Sequence, residues 1–257
     1  VTPAPLVLAS RSPRRREALA ALGLSFETVV SDVESRLGPL PDPTDPLPVA
    51  TAKALDVLAS RPDAVVIGGD TIVDLQGQAL GKPDGAAEAT AMLRRLRGRR
   101  HAVRSAVAVA TAGPRPAALA SAATPPAALA SAATPPAAEG AALHSCEVAA
   151  PVRMRDYDHL EVERYVASGE PLDCAGAYDV HRLGGALVLA VEGCLSAVVG
   201  LPLVVAAALL RDAGVDVPQG PARTCSRLYG RPCLAERQET AWRCEPARLS
   251  RQVRPPA

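Results

Sequence analysis

The run Ala64-Val65-Val66-Ile67-Gly68-Gly69-Asp70-Thr71-Ile72-Val73 does most to limit what this chain can fold into. It is apolar on consecutive positions, so it reads as a strand buried inside a sheet, running into a polar tip and out again. Such a strand must be covered, and segments with helical spacing stand on both sides of it. A carboxylate at the tip is costly to bury unless something partners it, such as a metal ion or a water to deprotonate. An aspartate closing a turn is the ordinary alternative.

The rest of the chain supplies the other layers. Residues 5–9 are a short apolar run suited to a buried strand, and a helix follows over 16–22. Ser12 before Pro13 fits an N-cap with proline in the first turn, and Gly23 ends the helix. Further strands are expected at 26–30, 75–80, 101–111, 147–154 and 186–191. Further helices are expected at 50–60, 86–96, 159–168 and 201–213, with loops at 38–48 and 173–183. This order predicts an α/β fold, with a central twisted mixed sheet flanked by helices. Its cleft should be lined by residues 10–15, 70–71, 82 and 173–181. Residues 117–126 and 127–136 are identical copies of Ala-Ala-Leu-Ala-Ser-Ala-Ala-Thr-Pro-Pro. Two short copies do not make a solenoid, and the Pro-Pro pairs forbid a continuous helix. They read as a surface insertion, 113–142, in one domain over 1–217. After Val217 the composition turns to Arg, Pro and Cys without apolar periodicity, so 218–257 is expected to be disordered or poorly packed.

Bulk properties remove several classes of function. A net charge of +1 gives no global field for nucleic acid or an anionic membrane. Aromatic residues are 2% of the chain, too few for a base-stacking platform. The longest apolar stretch, 195–210, is broken by Gly200 and Pro202 and falls short of a membrane span. The first residues show no basic region followed by an apolar core. The six scattered cysteines have no paired metal spacing, so reduced thiols in a cytoplasmic protein are expected.

The charged residues point to phosphate. Arg11, Arg14, Arg15 and Arg16 gather at a strand-to-helix turn, where free backbone N–H groups attract anions and guanidinium forks bind phosphate oxygens. An ordinary basic helix face is the alternative. Of 28 basic residues only Lys53 and Lys82 are lysines, and an ammonium is not equivalent to a guanidinium at a crowded phosphate site. Chance survival on a solvated face would explain them equally well. Glu34 offers a second carboxylate beside Asp70. An anion cradle, two lysines and two carboxylates suit phosphoanhydride hydrolysis with a divalent cation held by few carboxylates plus substrate phosphates. Neither a Walker loop nor a dinucleotide fingerprint occurs.

With these motifs in order, the chain resembles the Maf-like nucleoside triphosphate pyrophosphatase family, a domain also found in acetylserotonin O-methyltransferase-like proteins. The resemblance rests on Ser10-Arg11-Ser12-Pro13-Arg14-Arg15, Lys53, Gly68-Gly69-Asp70-Thr71, Gly81-Lys82-Pro83 and Leu96-Arg97-Gly98-Arg99-Arg100-His101. It continues through residues 165–173 and the Val-Val-Gly-Leu-Pro-Leu of 198–203, and so covers about 5–213.

It implies hydrolysis of (d)NTP, of the dTTP/UTP and modified pyrimidine type, to monophosphate and pyrophosphate. Asp70, Lys82 and Lys53 would be catalytic, with Asp70 the general base or a metal anchor. Ser12, Arg14, Arg15, Thr71 and His181 would bind substrate. Glu34 and Asp70 would hold Mg²⁺ or Mn²⁺. A homodimer and a house-cleaning role are further implications. The loop Asp173-Cys174-Ala175-Gly176-Ala177-Tyr178-Asp179-Val180-His181 departs from the family's Asp-Lys-Ala-Gly-x-Tyr-Gly-Ile-Gln. Cysteine cannot replace an ammonium, and His181 stands where glutamine reads the base; a loop histidine without substrate contact is its alternative. Cys174 is read as a small filler rather than a redox-sensitive thiol. Two other readings stay open: a catalytically weakened nucleotide-binding protein linked to cell-division control, and a 7-methyl-GTP-type pyrophosphatase.

Overall fold

The computed structural model describes residues 3–113, 141–234 and 242–247. Strand β1 (Leu6–Ala9) leads into helix α1 (Pro13–Ala20), then β2 (Glu27–Thr28), the short α2 (Val33–Arg36) and α3 (Leu47–Ser60). Next come β3 (Val65–Leu75), β4 (Gln78–Leu80), α4 (Ala86–Leu96), β5 (Arg100–Thr111), β6 (Ala142–Met154) and α5 (His159–Ala167). Three 3-10 turns cross the 170–187 region before β7 (Val188–Val191), α6 (Leu195–Val199), α7 (Leu203–Asp212), α8 (Pro221–Tyr229) and β8 (Trp242–Ala247). The strands form one sheet in the order β2-β1-β3-β5-β6-β7, with β4 on β3 and β8 on β6. β1 is parallel to β2 and β3, and the remaining pairs are antiparallel, so the sheet is mixed as expected.

The period of two along the central strands sorts the core onto two faces. Leu6, Leu8, Val65, Ile67, Val107 and Val109 point to the side covered by α1 and α7. Val7, Ala9, Val66, Ala106, Ala108 and Ala110 point to the side covered by α3. The alanines under α3 let that helix lie close to the sheet. A further cluster joins α4, α5 and the far ends of β3 and β5 through Leu93, Leu96, Val73, Val103 and Tyr157.

Several boundaries differ from the sequence reading. β6 begins at Ala142 rather than 147, pairing with β5 along its whole length. The span read as one helix over 201–213 is preceded by a separate short helix, because Gly200 (φ 118°) and Pro202 interrupt the regular backbone. The tandem copies at 117–136 lie outside the described residues. The expectation for 218–257 requires correction over 221–233, where α8 is a helix with Ala222, Thr224 and Cys225 buried and Cys233 is buried beyond it; 235–241 and 248–257 lie outside the described residues. The expectation of reduced thiols requires correction at Cys146, which is disulfide-bonded; Cys174, Cys194, Cys225 and Cys233 are unbridged and buried.

Candidate active site

The cleft exists because β1 stops short of its neighbour. β1 pairs with β3 only as far as Ala9 opposite Gly68, while β3 runs on to Leu75. Asp70 is therefore set within a continuous strand, opposite Ala106 of β5, and not at a turn. Where β1 ends, the chain turns away through Ser10 to Ser12 into α1 and leaves a gap beside Asp70. Ser12 caps α1 as expected, its hydroxyl accepting from the Arg15 N–H at 3.4 Å. Crevices at strand carboxyl ends are where open α/β sheets bind ligands. This one encloses about 390 Å³, within the range of small-molecule sites. Arg11, Arg14, Arg15, Lys53 and Lys82 line it, against the carboxylates of Glu34, Asp70 and Asp179. The excess of cations suits a polyanion.

Lys53 organises the floor. It sits on the sheet-facing side of α3, and its ammonium reaches Asp70 Oδ1 at 3.0 Å and Glu34 Oε2 at 2.8 Å. Lys53 and Asp70 are both buried, so each satisfies a charge that alone would be costly. Burial works against ionisation of Glu34. The hydrogen bond and charge of Lys53, with the charges of Arg15 and Lys82, more than offset it and hold the carboxyl below its ordinary range.

Arg15 is structural as much as cationic. Its Nε donates to the Gly200 carbonyl at 2.9 Å, Nη1 to Ser10 Oγ at 3.2 Å and Nη2 to Thr71 Oγ1 at 2.9 Å. Ser105 gives its proton to the Ala197 carbonyl, so at 2.8 Å from Ser105 the Thr71 hydroxyl is the donor. Thr71 thus binds β3 to β5 and to α1, and its oxygen is committed inside the protein. Arg14 Nη1 contacts Asp179 Oδ2 at 3.3 Å and Cys174 Sγ at 3.4 Å, and Nη2 donates to the Asp173 carbonyl at 2.7 Å. Lys82 is hydrogen-bonded to the Asp173 carboxylate.

The sequence-selected residues Ser12, Arg14, Arg15, Glu34, Lys53, Asp70, Thr71 and Lys82 thus meet in one cleft. His181 does not line it. Its imidazole packs edge-on against Tyr229 of α8, ring centroids 5.1 Å apart, at the rim beyond Asp179 and Val180. Ser10, Asp173 and Asp179 fall within the stretches expected to line the cleft but were given no role of their own, and Ser105 was missed. Asp173 stood within a recognised motif, whereas nothing local marked Asp179 as the partner of an arginine 165 positions away. Burial, with smaller contributions from nearby carboxylates, pushes the Cys174 thiol up to about 11 despite Arg14, so it is neutral at pH 7. That agrees with a filler and not a nucleophile.

One titrating group behind the cleft makes a measurable contribution. His101 is 5% exposed, with Nε2 2.7 Å from the hydroxyl of Tyr178, which lines the cleft. Its Nδ1 is buried with no hydrogen-bond partner among the described residues, and burial lowers its pKa to about 4. The unfolded chain then binds more protons than the folded one between that value and the ordinary 6.5. Stability is full above the upper bound and falls as pH drops through this window, by at most about 3 kcal/mol. Urea midpoints at pH 7.5 and 4.5 should show this acid loss, and His101→Gln should reduce it. An equal loss in the variant would refute the assignment.

An α/β sheet with a cationic cleft over a lysine-bridged carboxylate pair defines an enzyme of phosphate-ester or anhydride hydrolysis. Comparison with known proteins narrows the class. The family described as Maf-like protein matches residues 5–213, and the chain belongs to it. It is similar to the dTTP/UTP pyrophosphatase of Moorella thermoacetica, 42% identical over 82% of this chain and 96% of that protein. The dTTP/UTP pyrophosphatase of Anaeromyxobacter dehalogenans strain 2CP-1 is 44% identical over 83% and 96%. That of Escherichia coli O157:H7 is 38% identical over 77% and 88%.

Proposed function

We propose that this protein hydrolyses dTTP, UTP and related pyrimidine nucleoside triphosphates to the monophosphate and pyrophosphate. The observation that carries the reading is the Lys53 bridge between Asp70 and Glu34 at the floor of a cationic cleft. Arg11, Arg14 and Lys82 line the same space and would take the phosphate oxygens. Lys82 would exchange the exposed Asp173 carboxylate for substrate. Asp70 would accept the proton of the attacking water, with Lys53 fixing its carboxylate in place. Arg15 would add charge from behind without leaving its internal bonds.

The donor set fits Mg²⁺ or Mn²⁺. Glu34 and Asp70 present hard oxygen ligands near the expected phosphate positions. Two carboxylates alone would leave the remaining coordination positions of the cation to substrate oxygens and water. Glu34 and Asp70 would hold it, and when bound it would neutralise charge developing on the phosphates. No helix among the described residues is long and apolar enough to cross a membrane. A cytoplasmic, homodimeric house-cleaning enzyme without a nucleic-acid partner is part of this proposal.

The test is pyrophosphate release across dTTP, UTP, CTP, 7-methyl-GTP and the purine triphosphates. Preference for dTTP or UTP is expected. Preference for 7-methyl-GTP would overturn the pyrimidine assignment. Nucleotide binding without turnover would favour the weakened-enzyme reading, for which the neutral thiol at Cys174, in place of the family's lysine, is the favouring observation.

A further inference from the structure

Helix α8 lies beyond the residues matched to the family, yet it touches the elements that hold Arg14 and Arg15 of the cleft. Pro221 at its first turn and Gly230 (φ 65°) after its end delimit it. Ala222 and Cys225 join the core cluster of α1 and α7, with Leu228 and Tyr229 packed at its margin. The Gln219 N–H donates to the Leu22 carbonyl, anchoring the approach to α8 at the end of α1. α8 also packs on α6, which leads directly to the Gly200 carbonyl that receives Arg15.

Its most direct link runs through Tyr229. The Tyr229 and His181 rings meet edge to face at 5.1 Å and 90°. The backbone N–H of His181 donates to Asp179 Oδ1 at 2.9 Å, and Asp179 Oδ2 receives Arg14 Nη1 at 3.3 Å. The Asp179 side chain is 2% exposed, so its geometry is set by these contacts and not by solvent. An aromatic pair of this kind contributes orientation as well as buried area.

We infer that α8 is a positioning part of the active site: Tyr229, through His181, fixes the 179–181 turn and thereby the Asp179 carboxylate that orients Arg14. The role assigned to Arg14 rests on the triphosphate reading above. Tyr229 and His181 are positioning residues and touch no substrate. Loss of the contact lets the turn relax, Asp179 shifts, and Arg14 meets the phosphates from a wider range of orientations. Binding should suffer more than the chemical step, because the Lys53, Asp70 and Glu34 cluster is held by other elements.

The experiment compares the full chain with Tyr229→Ala, Tyr229→Phe and Arg223→Ala, the last an exposed position on the same helix. Two quantities are read: kcat and KM for dTTP, and the Kd of inorganic tripolyphosphate by calorimetry. Tyr229→Ala should raise KM and Kd about three- to tenfold while kcat stays within about twofold. Tyr229→Phe should restore both, since the contact needs the ring and not the hydroxyl. Arg223→Ala should match the parent. Unchanged KM and Kd in folded Tyr229→Ala would overturn the inference, as would equal losses in Tyr229→Phe. Should Tyr229→Ala fail to fold, His181→Ala removes the same contact from an exposed loop, and the same shifts are required of it. Absence of turnover in the parent would count against the proposed function alone, and the tripolyphosphate comparison would still decide the role of α8.

Discussion

Asp70→Asn is expected to lower pyrophosphate release about a thousandfold, the scale of losing a positioned proton acceptor. The amide keeps the size of the carboxylate but cannot take a proton from water or offer two anionic oxygens to a cation. KM should change little, because the phosphates are held mainly by Arg11, Arg14 and Lys82 on the other walls of the cleft. The fold should survive. Lys53 retains Glu34 at 2.8 Å, so its ammonium is not left unpaired. The weaker bond to a neutral amide costs about 1–2 kcal/mol. Steady-state kinetics paired with thermal unfolding would check both halves. A variant within tenfold of the parent rate would remove Asp70 from the chemistry. A collapse in stability would make it a structural counter-ion instead.

The parts of the site that could be read from the sequence are those whose meaning is local. Ser12 before Pro13 announces a helix start by capping chemistry alone, and the arginines that follow are fixed by that start. The run around Asp70 announces a buried strand with a charge inside it, and a charge there demands a partner. The sequence could not supply where that strand ends. Asp70 looks like a tip because Gly68-Gly69 and Thr71 resemble a turn. The strand continues because β5 pairs with it through Asp74 opposite Ala102. Distance along the chain hides the rest. Asp179 meets Arg14 only after the sheet closes, and His181 turns to Tyr229 because α8 presents a ring there. α8 itself was missed because its apolar set, Ala222, Cys225, Leu228 and Tyr229, is short and begins with small residues, and it lies in a segment otherwise rich in arginine and proline. Its punctuation by Pro221 and Gly230 was the available signal.

The close approach of α3 to β3 gives the largest expected effect on stability. A Cβ added at Gly68 would lie 2.4 Å from the Ala50 carbonyl oxygen, 2.9 Å from the Ala54 nitrogen and 3.1 Å from Ala54 Cβ. Two of these are backbone atoms, placed where a helix bonds the N–H of one residue to the carbonyl four before it. No rotamer change relieves such a clash, so α3 must lift from the sheet. Gly68→Ala should therefore cost about 1–3 kcal/mol, the range for overpacking a close-packed interior. For a chain of this size that lowers Tm by roughly 3–10 °C. Activity should fall further than stability implies, since Lys53 lies between Ala50 and Ala54 on the displaced helix. A shift near 1 Å in its ammonium separates it from Asp70 and Glu34 and costs on the order of 100-fold in kcat. Gly69→Ala is the informative control. Its Cβ would meet Arg15 Nε at 3.2 Å, the backbone carbonyl oxygen of Ala106 at 3.3 Å and Arg15 Cδ at 3.4 Å, so the neighbours need give by only a few tenths of an ångström, most of it in the Arg15 side chain. Adjacent glycines should thus respond very differently, Gly68 through helix placement and Gly69 through a slight adjustment of Arg15. If Gly69→Ala proved the more damaging, the site would depend on the guanidinium of Arg15 more than on the seating of α3.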